Sequence, residues 1–442
     1  MKDVVKWIWL AQKCGAGNSD VLALVEKFES VDHIYEADFD DYVSCGVSER
    51  LAEDLCDKAL DEANTIIKTC ESIGAGVLCY GDKRYPSSLR ALKNPPVVLY
   101  YLGELPDFNG RLCISVVGTR SMSEYGMRAA YKIAYEIASA GAIVISGMAL
   151  GIDGVASAAT IAARGKTVVV FGCGIDVVYP KEHLKLTERI RENGAIITEY
   201  PPTTRPRRMH FPLRNRIISA ISQGTVVVDA DMSSGAMITA KNAILQGKDI
   251  YAVPCNIDSR NSSGTNSLIR DGAQAVLCGA DIIKNYVYMY RDKLDVKKMN
   301  DSVASSGFDS QVLWRMGVGA RGFAANTSAD ELTSYKPYKK PLATRRERTA
   351  TSEKAPEPKT PYKPEAKESR RETGAGDNSA KALESLTEKQ RKIFDEMPLD
   401  RAVTVDYLTK TGFKLGEVIS ALTILEVKGL VSSLPGALYI RK

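Results

Sequence analysis

Residues 112–154 read LCISVVGTRSMSEYGMRAAYKIAYEIASAGAIVISGMALGIDG. Leu112–Val117 is an almost unbroken apolar, β-branched run, and Gly118-Thr119-Arg120-Ser121 follows it at once. From Glu124 to Ala140 the apolar residues recur at helical spacing. Ala142–Ile145 is then a second apolar run, followed by Ser146-Gly147-Met148-Ala149-Leu150-Gly151-Ile152-Asp153. Strand, glycine loop, helix, strand, glycine loop is the order of parallel strands covered on both faces.

The alternation continues outward on both sides. Strands are expected at Val77–Tyr80, Val97–Leu102, Thr167–Phe171, Ala195–Thr198, Thr225–Val228, Asp249–Val253 and Ala275–Leu277. Helices are expected at Val155–Arg164, Glu182–Glu192, Leu213–Ile221 and Ala236–Gln246. Residues 73–290 therefore read as a doubly wound, mostly parallel α/β sheet. Residues 1–72 read as a small all-α domain of SAM or helix-hairpin-like kind, broken at Gly15-Ala16-Gly17 and Cys45-Gly46. In 384–442, three helical stretches precede a hairpin around Pro435-Gly436, the layout of a winged helix. Its third helix offers Lys414, Glu417, Ser420, Thr423, Glu426 and Lys428 but no Arg or Asn to read base edges, so a protein-contact role is favoured there.

Composition sets the remaining bounds. A chain of 442 residues holds two to four domains, and 44% hydrophobic with 26% charged residues is ordinary for a globular protein. No apolar stretch approaches the roughly 20 residues of a membrane span, and the N-terminus lacks a secretory pattern, so the expected location is the cytoplasm, away from membranes. Nine scattered cysteines without a C-x-x-C pair indicate neither disulfides nor a zinc ribbon. The net charge of +5 is local: Lys336–Arg371 holds twelve Lys and Arg against five Glu, which leaves the rest of the chain at −2. That tract lies in residues 291–383, a Pro-, Ser- and Lys-rich stretch read as a disordered basic linker.

In a doubly wound sheet, ligands sit outside the carboxyl ends of the strands. This sequence places Gly118, Thr119, Arg120 and Ser121 there, then Ser146, Gly147 and Gly151, then Gly172 and Gly174, then Ser234 and Gly235 with Thr239 one turn on. Glycines let backbone amides at helix starts face an anion, so the four loops together read as a phosphate-binding rim. No G-x-G-x-x-G opens a helix, and Gly165-Lys166-Thr167 lacks the first glycine of a P-loop; no cofactor is expected. Between Tyr200 and Arg216 the arginines 205, 207, 208, 214 and 216 surround His210-Phe211-Pro212 and Asn215. Arginines interleaved with an aromatic ring suit a single-stranded nucleic acid, and Arg205, Phe211, Arg214, Asn215 and Arg216 are the candidates. Asp153, Asp176, Glu199, Asp229 and Asp231 are dispersed over separate loops, so neither a metal site nor catalytic residues are expected.

These residues carry a resemblance to the DprA/Smf family of bacterial DNA-processing proteins. The matching pattern is Tyr85-Pro86-x-x-Leu89, Pro95-Pro96-Val97-Val98-Leu99-Tyr100, Val116-Val117-Gly118-Thr119-Arg120, Ser146-Gly147-x-Ala149-x-Gly151-Ile152-Asp153, Gly172-x-Gly174-Ile175-Asp176-x-x-Tyr179-Pro180-Lys181, Phe211-Pro212-x-Arg214-Asn215-Arg216-Ile217-Ile218 and Ser234-Gly235-x-x-Ile238-Thr239-Ala240. The resemblance implies a Rossmann-like domain that binds single-stranded DNA without cutting it. It also implies protection of that DNA, loading of the RecA recombinase during natural transformation, and a homodimer formed through the Rossmann-like domain. Carried over, Arg120 and Lys181 pair with phosphates, and Gly118, Ser146 and Gly147 donate backbone amides. Ser157, His183, Asp229 and Cys255 depart from the family pattern, where a histidine, an asparagine, a glutamate and a glycine are usual. The alternative reading is a nucleotide or phosphoribosyl hydrolase of the lysine-decarboxylase-like group. Against it, Ser222–Asp229 lacks that group's P-G-G-x-G-T-x-x-E signature.

Overall fold

Nine apolar runs join one sheet in the computed structural model: β1 (Gly76–Cys79), β2 (Val98–Gly103), β3 (Cys113–Gly118), β4 (Ile143–Ser146), β5 (Thr167–Val170), β6 (Gly194–Thr198), β7 (Gly224–Val228), β8 (Asp249–Ala252) and β9 (Gln274–Ala275). Their order is β1-β2-β6-β5-β4-β3-β7-β8-β9. Strands β3 to β9 are parallel, while β2 runs antiparallel to β6 and to β1. The chain moves from β3 to one side through β4, β5 and β6, then returns to place β7 on the other side of β3. That reversal opens a crevice at the carboxyl ends of β3 and β7, where Gly118 pairs with Val228.

The structure describes residues 2–305, 308 and 310–318, and then 386–398, 403–409, 413, 418, 421, 422, 424, 425, 430–434 and 438–441. The chain divides into two compact units, residues 1–339 and 340–442.

Among the described residues of the first unit, six α-helices precede the sheet: α1 (Lys2–Cys14), α2 (Asp20–Lys27), α3 (Val31–Glu36), α4 (Phe39–Ser44), α5 (Glu49–Cys56) and α6 (Asp61–Ile73). Ten more follow: α7 (Ser87–Arg90), α8 (Glu124–Ser139), α9 (Ile152–Ala162), α10 (Leu184–Asn193), α11 (His210–Ile221), α12 (Gly235–Leu245), α13 (Ser263–Arg270), α14 (Ala280–Ile283), α15 (Val296–Ser305) and α16 (Ser310–Arg315). One apolar layer joins Ile133, Ile137, Val155 and Ala159 of α8 and α9 to the sheet and runs on into Trp9, Leu10 and Leu24 of the N-terminal helices. The opposite layer is built on Ile217 and Ile221 of α11 and Ala240 of α12.

Two expectations need correction. Helix α11 starts at His210, not at Leu213, because a proline in the first helical turn breaks no hydrogen bond and Pro212 stands there. The expected linker also begins too early at residue 291. Residues 296–305 and 310–315 are helical, and Met299, Leu313 and Val318 are buried in the first layer. Averaging composition over ninety residues hides these few apolar anchors. The basic tract Lys336–Arg371 lies outside the described residues.

The second unit holds α17 (Glu388–Asp395), α18 (Val405–Thr409) and a three-stranded sheet of β10 (Val403–Thr404), β11 (Val431–Leu434) and β12 (Leu438–Arg441) in the order β10-β12-β11. Ile393, Phe394, Leu408, Leu422 and Val431 form its core. Thr387 and Gln390 cap α17 reciprocally. The expected third helix, Gly416–Lys428, lies mostly outside the described residues.

Candidate functional site

The crevice between β3 and β7 widens into a cleft of about 690 Å³. Gly118, Thr119, Arg120 and Ser121 line it after β3; Phe211, Arg214 and Asn215 line it from α11; Ser234, Gly235 and Thr239 line it from α12. Ten of the residues expected from sequence thus meet at one place. The cleft receives the first turns of two helices of 12 and 11 residues, whose dipoles favour an anion. Ser234 Oγ caps α12 by accepting from the Ala236 amide, and Asn215 Nδ2 donates to the Gly235 carbonyl at 3.4 Å, which ties the two helix starts together. Gly118 is required by space: a Cβ there would lie 2.0 Å from the Val228 carbonyl oxygen.

Charge and aromatic surface face the cleft from one side. Arg120 is exposed, with its guanidinium 5.8 Å from the Phe211 ring centroid. Tyr179 is 43% exposed and stands 5.4 Å from the same ring. Arg208, also exposed, completes the lining. Among the described residues neither Arg120 nor Arg208 has a carboxylate partner. Sequence reasoning did not single out Tyr179 or Arg208. The signal for Tyr179 was an aromatic ring beside Pro180 in a glycine loop; Arg208 was hidden among five arginines.

The stretch that forms the sheet matches known proteins. A family profile described as "DNA recombination-mediator protein A" fits residues 76–287. The DNA processing protein DprA of Bacillus subtilis is 36% identical over 211 residues, 48% of this chain and 71% of that protein. This chain belongs to the DNA recombination-mediator protein A family. Protein Smf of Synechocystis is 28% identical over 444 residues, 99% of this chain and 98% of that one. The X-ray structure of DprA from Streptococcus pneumoniae superposes with a TM-score of 0.57 at 30% identity, covering 63% of this chain and 97% of the other. Every cleft residue lies inside the span of the family profile.

Family membership does not place every expected residue at the cleft surface. Arg214 is 4% exposed, and its Nη1 donates to the carbonyls of Gly147, at 2.8 Å, and Val170. Burial pushes its guanidinium down to about 10, against the opposing pull of Asp153. It braces the loop floor and has no donor on Nη1 left for a phosphate. Arg216 turns away into a buried ion pair with Glu199 at 2.7 Å. The Gly147 amide, expected to face a phosphate, donates to Asp153 Oδ2 at 3.1 Å, as the Ala149 amide does at 3.3 Å. Ser146 is fully buried, with Oγ donating to the Val116 carbonyl. Gly151, at φ +81°, caps α9 against the Thr119 carbonyl.

The third expected loop is covered. The Gly174 amide donates to the Thr204 carbonyl at 2.9 Å, and His210 Nδ1 lies 3.1 Å from the Gly172 carbonyl oxygen. His210 also stacks on Tyr200 at 4.2 Å, and burial lowers its affinity for a proton. Lys181 and Arg205 are exposed but do not line the cleft. Among the described residues no group of three or more His, Cys, Asp or Glu converges to hold a metal ion, and no helix is long and apolar enough to cross a membrane.

Proposed function

We propose that the cleft binds a single strand of DNA without catalysis. Phosphates lie against Arg120, Arg208 and the first turns of α11 and α12, and a base rests on the Tyr179–Phe211 pair. One observation carries this reading: two exposed arginines, neither with a carboxylate partner among the described residues, line the cleft with the exposed Tyr179 ring and the half-buried Phe211 ring where two helix starts converge. That combination grips a backbone and stacks bases without reading sequence. The names of the relatives, DNA processing protein and DNA recombination-mediator protein, support the same substrate. Against the hydrolase reading, Asp153 lines the cleft but its Oδ2 accepts the Gly147 and Ala149 amides, and Asp229 is fully buried and accepts the Ser123 amide. The test is fluorescence anisotropy of a labelled single-stranded oligonucleotide. Arg120→Glu and Arg208→Glu are expected to weaken binding across all sequences alike; undiminished binding by both variants would remove the assignment.

The wider role follows the resemblance. We infer a cytoplasmic mediator that protects single-stranded DNA and loads RecA recombinase onto it, working as a homodimer through the Rossmann-like domain. Exposed Lys181, two residues after Tyr179 in sequence, is assigned a further phosphate contact on the resemblance. The α-helical N-terminus is assigned a SAM or helix-hairpin-like fold and the C-terminal unit a winged helix that contacts protein.

A further inference from the structure

Helix α8 is the first helix after the central strand β3, so its N-terminus is where a doubly wound fold ordinarily seats the phosphate of a nucleotide. Here the protein's own carboxylate is there. Asp229, fully buried at the end of β7, accepts the Ser123 amide on Oδ2 at 2.5 Å, and Ser123 is the N-cap of α8. Gly126 in the first turn of α8 leaves room for it, since a Cβ at 126 would lie 2.3 Å from Asp229 Oδ2.

The same residue holds the other end of the turn. The Thr119 amide donates to the Asp229 carbonyl at 3.0 Å. Asn261 Nδ2 donates both to Asp229 Oδ2, at 3.3 Å, and to the Ser121 carbonyl, at 2.9 Å. Asp229 achieves this at φ +52°, a backbone state that Asp and Asn tolerate better than other side chains. Its second oxygen, Oδ1, is buried and has no hydrogen-bond partner among the described residues. A buried carboxylate oxygen without a partner and a positive φ in the residue that holds the Thr119–Ser123 turn are what a fold retains when geometry matters more than local stability.

Resting on the DNA-binding reading above, we propose that Asp229 is a positioning residue: it fills the anion seat at α8 and clamps Thr119–Ser123 so that Arg120 is presented to the strand. The phosphates are thereby directed to Arg120 and to α11 and α12, not to α8.

The test is a double-substitution cycle by anisotropy on the full chain, with thermal melting to confirm folding. Asp229→Asn keeps the shape and the left-handed preference but removes the charge. It is expected to weaken single-strand binding about three- to tenfold, the net scale of one ordinary hydrogen bond. It should also make the salt dependence shallower by about one phosphate contact, as Arg120→Ala does, with no further loss when the two are combined. Asn261→Ala, a milder change, is expected to move affinity in the same direction and to be equally silent in the Arg120→Ala background. It decides the matter if Asp229→Asn does not fold. Wild-type affinity in the folded variant, or losses that multiply in the combination, would overturn the positioning role while leaving DNA binding intact. An Arg120→Ala protein that binds like wild type would overturn the contact itself and the positioning role with it.

Discussion

At the scale of single residues, side chains of one type have opposite tasks. Arg120 and Arg214 lie within reach of the same ring, but one faces solvent and the other is buried against two carbonyls. Arg120→Ala should leave the melting temperature unchanged and weaken single-strand binding about tenfold, read by melting and anisotropy on the same samples. Arg214→Ala should destabilise the fold by roughly 3 kcal/mol, because it leaves two buried carbonyls and Asp153 unpaired, and denaturant titration would show it. Tyr179→Ala should reduce affinity by about 1–3 kcal/mol with an unchanged salt slope, the signature of stacking without charge. The sequence showed the arginines but not their directions. With α11 begun at His210, Phe211 and Arg214 share one face and Arg216 points to the other; begun at Leu213, that sorting was invisible.

At the scale of elements, the strands were legible because burial on both faces demands uninterrupted apolar runs, as in Val168–Val170 and Val226–Val228. Helices α13, α15 and α16 were not, since each is short and polar and is held by few contacts such as Leu268 or Leu313. Leu313→Ala should cost about 2–4 kcal/mol in a denaturant titration, a loss that a disordered linker would not show. Beside α16 lies His183, 1% exposed, with Nδ1 3.2 Å from the Met148 carbonyl oxygen. A would-be Cβ at Gly154 comes 2.7 Å from its ring and 3.4 Å from Val318. Burial holds His183 below its ordinary 6.5, so the unfolded chain takes up a proton that the native state resists. Its contribution to stability is therefore complete above about pH 6.5 and is lost progressively as the pH falls below it. Urea midpoints at pH 7.5 and 5.5 should fall less for His183→Gln than for the wild type.

At the scale of the whole molecule, the order β5-β4-β3-β7-β8 fixes where a ligand can enter, and the loops at that point decide which ligand. The seat at α8 is filled by Asp229, the second glycine loop is closed by Asp153, and the third is covered by the Tyr200–His210 segment. What stays open is a polar cleft with two rings and two arginines that have no carboxylate partner among the described residues. The measurement that tests this most directly is a salt series of single-strand anisotropy titrations, without added metal, on the wild type and on a variant carrying both Arg120→Ala and Arg208→Ala. The account predicts intact DNA, tight binding that falls linearly in log–log form with salt, and a slope shallower by about 1.4 in the variant, at roughly 0.7 per phosphate contact on a single strand. Equal slopes for the two proteins, salt-indifferent binding or a shortened strand would contradict it.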